Sequence, residues 1–356
     1  MAERVLTRAE LNRALLARQL LLERRRLPLA DAVEQLAGLQ AQYTPSPYLS
    51  LCARIDGFER AQLTAALERR AVVKALLTRG TLHIVTPRDF WAFATARRAL
   101  GADYWPPSFE RRLPQRKIVE VARSAVAEMR SRPWTFREVC ALVEPHTTAD
   151  ITPAQLWRRM QGQEQFVHVA PSGLWGYHGD GVCQAADAVI GGEPPVPDAA
   201  CAQLIRRYLG AFGPASVRDI AQWAGLQRIR PLTEAVARAE LQIFVDENGR
   251  TLYDLPDAPL PDPDIPAPPR LVPRYDNLVL SHDNRSRVLG DVPIKRIVTN
   301  NALVHATILV DGFVAGTWQL EDGRVKLEPF GPLPRAVEAE LGEEVERVEA
   351  FVRPGP

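Results

Sequence analysis

At 356 residues the chain is long enough for two or three domains, and 46% hydrophobic with 24% charged residues is the balance of a globular protein. A formal net charge of +1 neither implies nor excludes a polyanionic partner. No apolar run approaches the roughly 20 residues of a membrane helix, and Met1-Ala2-Glu3-Arg4 leads into a polar amphipathic segment, so no secretory signal is read and a cytoplasmic setting is expected.

Cys52, Cys140, Cys183 and Cys201 lie far apart with no CxxC spacing, and the six histidines form no ligand pattern. Neither a disulfide framework nor a metal site is expected, and no cofactor is called for. The cations are mostly of one kind, with 40 arginines against four lysines. A GC-rich genome explains most of that bias. Even so, knots such as Arg24-Arg25-Arg26 and Arg158-Arg159 suit phosphate contacts, and segregated arginine can line a basic groove on a near-neutral protein.

In chain order, residues 6–22 show helical apolar spacing through Leu11, Leu15, Leu16 and Leu20. Pro28 opens a second helix with Val33, Leu36 and Ala37 on one face, running toward Gln40-Ala41-Gln42. Read alone, those two amides cap exposed carbonyls at a helix end. Pro45 and Pro47 follow, and residues before proline avoid the α region. A third helix is expected after Phe58, then strands over 72–77 and 82–85 with a turn at Arg79-Gly80. The same grammar recurs from Lys117: a helix to about Met129, a short one after Thr135, a third after Thr152-Pro153. A hairpin of 166–169 and 174–177 is expected to turn at Pro171-Ser172-Gly173.

A third repetition has helices over 199–211, 217–224 (stopped by Gly225) and 231–238, with a hairpin of 241–245 and 251–255. Helices followed by a two-stranded wing describe a winged helix-turn-helix; an all-α scaffold with incidental hairpins fits the pattern as well. The proline-rich stretch 256–273 is expected to be extended and weakly ordered. Strands over 306–310, 313–319 and 324–328 follow, with Asp311-Gly312 and Asp322-Gly323 as hairpin turns, and an amphipathic helix runs from Pro334 to about Phe351.

Four stretches together resemble the AlkZ- and YcaQ-like bacterial winged-helix DNA glycosylases. They are Gly38-Leu39-Gln40-Ala41-Gln42 with Pro47-Tyr48-Leu49-Ser50-Leu51 and Ala53-Arg54, then Thr78-Arg79-Gly80-Thr81-Leu82-His83. The third is the segment from Gly213 to Leu226, and the fourth runs from Tyr275 to Leu289 with Val310 to Trp318 downstream. The resemblance covers nearly the whole chain. It implies a mainly α fold with small β-hairpins (α+β), built from three tandem winged-helix units in a C-shaped arrangement. The units are expected over 1–110, 111–195 and 196–256, with a linker, β-rich segment and final helix over 257–356.

The implied activity is hydrolysis of the N-glycosidic bond of N7-alkylguanine, including bulky natural-product adducts and interstrand crosslinks, in base excision repair or self-resistance to a genotoxic antibiotic. Such a base already carries a positive charge and leaves neutral, so the enzyme contributes positioning and electrostatics rather than a strong acid. A glutamine is no general base, but its oxygen accepts and its NH₂ donates, so Gln40 and Gln42 can hold one water. Residues two apart face one way only on an extended chain, so helicity is expected to break near Gln40.

The resemblance further implies an alkylated double-stranded DNA partner, no membrane partner, a monomer and a place at the nucleoid. Arg79 and His83 at the first wing are read as reaching a phosphate, or else His83 is buried against a backbone carbonyl. Ser281, His282, Arg285 and Arg287 are read as donors on a loop that contacts DNA or the lesion, or else as parts of a structural loop. Asp283-Asn284 departs from the family's Ala-Asp, so no role carries over there. The resemblance implies a groove-entering hairpin, for which the Asp311-Gly312 or the Asp322-Gly323 turn is a candidate, while an ordinary solvent-facing hairpin is the default reading of both. No lysine near the glutamine pair supports Schiff-base chemistry, Lys74 included. Two other functions fit the same fold: a non-catalytic winged-helix regulator, and a silent protein that sequesters the adduct-forming drug.

Overall fold

The computed structural model describes residues 4–101 and 111–353. The first three residues and the expected junction between units one and two at 110–111 fall wholly or partly outside that range. After a short strand β1 (Val5–Leu6), helix α1 (Arg8–Arg18) opens with a reciprocal cap: the Thr7 hydroxyl accepts from Glu10 N–H, and the Glu10 carboxylate accepts from Thr7 N–H. Its apolar positions Leu11, Leu15 and Leu16 are buried as the spacing predicts, but so are Asn12, Arg13 and Arg18. A helix buried on its polar face must find partners for it. Arg18 makes a two-pronged pair with Asp254 at 2.7 and 2.8 Å.

Helix α2 (Leu29–Gln35) ends sooner than expected. Ala37 N–H donates to Glu34 O and Gly38 N–H to Val33 O, with φ of 53° and 87°, the Schellman stop that glycine permits. The chain leaves that turn extended as β2 (Leu39–Gln40). Helices α3 (Pro45–Arg54) and α4 (Arg60–Glu68) follow, then β3 (Val73–Leu76), a tight turn at Thr78–Gly80, β4 (Leu82–Val85) and α5 (Pro87–Ala99).

The second group comprises α6 (Gln115–Met129), β5 (Trp134–Thr135), α7 (Phe136–Val143), α8 (Pro153–Gln163), β6 (Phe166–His168) and β7 (Val182–Ala185). One expectation is corrected here. Residues 174–177 form no strand; β6 pairs with β7, Phe166 opposite Ala185. Trp175 instead packs edge-on against Tyr48 at 5.3 Å, so burial of an indole holds that segment off the sheet. All these strands form one six-stranded sheet in the order β2-β4-β3-β6-β7-β5, with Lys74 opposite His168 where the two groups join.

The third group has α9 (Pro197–Phe212), α10 (Val217–Ala224), α11 (Arg230–Ala237) and the hairpin β8 (Gln242–Asp246) with β9 (Thr251–Asp254). Gly225 stops α10 at φ 73°. β1 joins this hairpin in parallel, Val5 opposite Val245, so the start of the chain completes a three-stranded sheet. Trp223 is fully buried among Phe93, Tyr208 and Phe212, with ring centroids 5.5, 5.3 and 6.2 Å away.

The proline-rich stretch is not loose. Its prolines have no N–H to donate, and the stretch is tied to the first helix through its carbonyls: Arg18 donates to Pro259 O and Arg13 to Ile265 O. It ends in β10 (Arg270–Val272), which pairs with β11 (Ala306–Val310), β12 (Phe313–Glu321) and β13 (Arg324–Pro329) in an antiparallel sheet. Helix α12 (Arg335–Val352) closes over that sheet through Leu341 and Val348. The fold is α+β, with helices followed by a hairpin three times over.

Candidate active site

Gln40 lies on the short strand β2 rather than at a helix end, and the chain bends at Gln42. Gln40 pairs across the ladder with His83, and Ala41 N–H donates to Leu82 O at 2.7 Å. Leu39, Gln40 and Ala41 are all buried along this stretch. Gln40 is 6% exposed, whereas Gln42 is open to solvent. Gln42 Oε1 meets only a long contact, 3.4 Å from Leu82 N.

Arg79 gathers the groups around Gln40. Its Nη2 donates to Gln40 Oε1 and to Asn277 Oδ1, both at 2.7 Å, and lies 3.4 Å from His83 Nε2. His83 is buried, and its Nδ1 donates to the Thr81 carbonyl at 3.0 Å, leaving Nε2 as acceptor toward the Thr78 hydroxyl at 2.9 Å. Burial first, and the Arg79 charge second, push the His83 imidazole down to about 3, so it is neutral at physiological pH. Burial and the neighbouring Arg285 and Arg97 charges bring Arg79 down to about 10, still cationic.

The turn that carries Arg79 is a meeting point of the chain. Arg79 itself has φ 55°, its Nη1 donates to Trp223 O at 3.2 Å, and Arg97 Nε donates to Ala224 O at 3.2 Å. Two cations thereby satisfy the last carbonyls of α10, where its dipole is negative. A Cβ on Gly225 would sit 2.7 Å from the Arg79 Cα, so only glycine lets this turn approach. From the second group, Arg158 donates to Gly80 O at 3.2 Å.

Behind Gln40 lies an ion pair of two buried groups: Arg54 donates to both Asp276 oxygens at 2.8 and 2.9 Å, and the Ser50 hydroxyl donates to Asp276 at 2.8 Å. A cavity of about 10 Å³ between Gln40, Ser46, Ser50 and Asn277 has room for about one water. A roomier groove of about 820 Å³ between the start of α4 and the end of α12 shares no residue with this network.

The other expected contacts fall elsewhere. Ser281, His282 and Arg287 are buried, not on a DNA-facing loop. Ser281 Oγ donates to Asn277 O, His282 Nε2 to Phe212 O, and Arg287 to Phe212 O and Pro214 O, so their donors hold the interior together. Burial, then the Arg287 charge, push His282 down to about 3. Arg285 is half-buried near Arg79 and stays with the site.

The Asp311-Gly312 turn is not a free tip. Asn12 donates to Gly312 O, Arg13 pairs with Asp311, and a Cβ on Gly312 would meet Asn12 Oδ1 at 2.4 Å. The Asp322-Gly323 turn has nothing within 4 Å of such a Cβ. Three residues next to the pair escaped the sequence reading: Asn277, Tyr43 (41% exposed) and Arg274, whose guanidinium lies 5.8 Å from the Tyr43 ring centroid. Asn277 stands three residues into the recognised Tyr275–Leu289 motif, ahead of the polar run that drew the attention.

The chain is α+β, with Gln40 on a short strand and its amide oxygen held by Arg79. Residues 33–351 match the family described as DNA glycosylase AlkZ-like, and the chain belongs to that family. It is similar to an interstrand DNA cross-link repair glycosylase of Streptomyces sahachiroi, 23% identical over 352 aligned positions and covering 88% of each chain. The solved structure of Streptomyces sahachiroi DNA glycosylase AlkZ superposes with a TM-score of 0.83 over 98% of both chains at 20% identity, a likeness of fold.

Proposed function

We propose that this protein is a monofunctional DNA glycosylase that hydrolyses the N-glycosidic bond of N7-alkylguanine, with one water held by Gln40 and Gln42. The observation that carries the reading is Gln40 on the short strand Leu39–Gln40 and held by Arg79, with the exposed Gln42 two residues on where the chain bends. The water oxygen bonds to C1′, the C1′–N9 electron pair moves onto the purine and neutralises its charge, and the water's proton passes to solvent. No strong acid is needed for that leaving group. The groups around Gln40 agree with it: a neutral imidazole, a second amide and a guanidinium.

Lys74 supports the monofunctional assignment, since it pairs with Ile84 on the opposite face of the strand from Gln40 and His83. The cavity that Gln40 lines, about 10 Å³, is far too small for a purine, which favours a lesion attacked at the surface, as a bulky adduct or crosslink requires. The Streptomyces sahachiroi relative is named for cross-link repair, and we extend that substrate class to this chain. In this reading the three helix-and-hairpin groups act as winged helices on duplex DNA. The test is incubation with duplex containing N7-methylguanine, followed by alkali. Strand scission by the wild-type chain, lost in Gln40→Ala and Gln42→Ala variants that still bind DNA, is the expected result. Equal scission by the folded double variant refutes it.

A further inference from the structure

We propose that Arg79 is a positioning residue that fixes the polarity of Gln40: Gln40 offers only its NH₂ group to the reacting water, and Gln42 supplies the carbonyl that orients the water's proton. The inference rests on the amide pair being the water-holding device, and it assigns each amide a different job.

A guanidinium carries N–H donors and no acceptor. Whatever amide atom of Gln40 lies 2.7 Å from Arg79 Nη2 must therefore be the oxygen. The usual ambiguity between amide oxygen and nitrogen does not arise beside a donor-only partner. Neighbouring groups are fixed in the same way. Asn277 turns its oxygen to Arg79 because its Nδ2 donates to Gly38 O at 3.1 Å, and His83 turns a lone pair to Arg79 because its Nδ1 donates to Thr81 O. Each acceptor around the guanidinium is thus held by a backbone carbonyl or by the arginine itself.

Arg79 cannot easily move to release Gln40. Its second nitrogen is bound to Trp223 O, and its backbone is pressed against Gly225. Flipping Gln40 would point N–H groups at N–H groups in a buried setting, which leaves both unpaired. Among the described residues no partner meets the Gln40 NH₂, whereas Gln42 Oε1 has only the 3.4 Å contact to Leu82 N and keeps a lone pair. A water that accepts from Gln40 and donates to Gln42 retains one lone pair for C1′. With both amides acting as acceptors, each would hold a water hydrogen and neither would hold the oxygen.

The test is single-turnover release of N7-methylguanine by full-length variants, with duplex affinity measured separately. Arg79→Met is expected to slow release by about tenfold to a hundredfold with affinity within about twofold, since a misaligned group costs rate rather than binding. Arg79→Lys, which restores one donor, recovers part of the loss. Gln40→Glu keeps the Arg79 contact but replaces the outward donor by an acceptor, so it is slow at every pH. Gln42→Glu keeps an outward acceptor; it is at least about tenfold faster than Gln40→Glu, and its rate climbs with pH through the ordinary carboxylate range near 4.3.

Wild-type release by Arg79→Met, or Gln40→Glu faster than Gln42→Glu, overturns the inference. Should Arg79→Met fail to fold, the comparison of the two glutamate variants decides alone. No release by the wild-type chain refutes the glycosylase reading instead. In that case the nitrogen-15 shift of the Gln40 side chain, expected to move in Arg79→Lys, still tests the contact, and an unmoved shift overturns it.

Discussion

Arg79 reaches across from the turn between β3 and β4 to Gln40 Oε1 at 2.7 Å, and the same Nη2 holds Asn277 Oδ1 at 2.7 Å. Asn277 comes from a segment 198 residues further along the chain. Replacing it with leucine removes an acceptor from Arg79 and a donor from Gly38 O in one step. Stranding buried polar groups costs about 1–3 kcal/mol, so Asn277→Leu is expected to lower the unfolding free energy by that amount, seen as a lower urea midpoint, and to slow release, with Asn277→Asp recovering the acceptor. An unchanged midpoint would show that the bridge carries no weight.

The floor of the site makes a separate prediction. Arg54 and Asp276 side chains are 1% and 3% exposed, so each is safe only while the other is present. Removing one partner of a buried pair costs about 3–5 kcal/mol, whereas replacing both with apolar groups costs far less. Asp276→Ala should therefore be strongly destabilised in urea, and Arg54→Met combined with Asp276→Leu should be more stable than Asp276→Ala alone. The reverse order would argue against the pair as an isolated unit.

Acid should loosen the protein through its histidines. His83, His168 and His282 are each pushed down to about 3 from 6.5, chiefly by burial. The unfolded chain takes up protons below pH 6.5 while the folded chain does not. The stability is thus fully present above 6.5 and falls as pH drops toward 3. Each histidine contributes about 1.4 kcal/mol per pH unit inside that window. Urea unfolding from pH 7.5 to 5 should show this slope, reduced by about one proton in His168→Phe. A flat profile would contradict neutral burial.

Much of the fold was legible in local chemistry. The reciprocal caps at Thr135/Glu138 and Ser216/Asp219, and the stop at Gly225, are short-range signals, and helices begin and end there as spelled. Pairings between distant segments were not legible: β1 against β8, Arg54 with Asp276, Arg79 with Asn277. Nothing near either member announces the other. Polar runs misled for a related reason. Ser281, His282 and Arg287 spell a wet loop, yet carbonyls at Phe212, Pro214 and Asn277 await them in the interior. The break from helix ahead of Gln40 was expected, but the Ala37-Gly38 stop that ends the helix there was not read.

Gly225 ties the third group to the site. At φ 73° an alanine costs about 1–2 kcal/mol in backbone strain alone, and its Cβ would also displace the Arg79 backbone from 2.7 Å. Gly225→Ala is therefore expected to lose release rate as well as stability. Gly57→Ala, at φ 68° with nothing within 4 Å, should lose stability only. Equal release by both variants would show that the Arg79 turn tolerates displacement.

Tyr43 follows Gln42 directly, is 41% exposed, and carries the Arg274 guanidinium 5.8 Å from its ring centroid. On the proposed function, a nucleobase of the damaged duplex would stack on this exposed ring. Stacking of one base on an aromatic side chain contributes about 1–3 kcal/mol. Tyr43→Ala should therefore weaken binding of lesion-containing duplex by about fivefold to a hundredfold. The release rate at saturating protein should fall far less than the affinity does. Tyr43→Phe, which keeps the ring, should bind close to wild type. Binding of Tyr43→Ala equal to wild type would remove Tyr43 from the DNA-facing surface and leave Gln42 as the outermost group of the site.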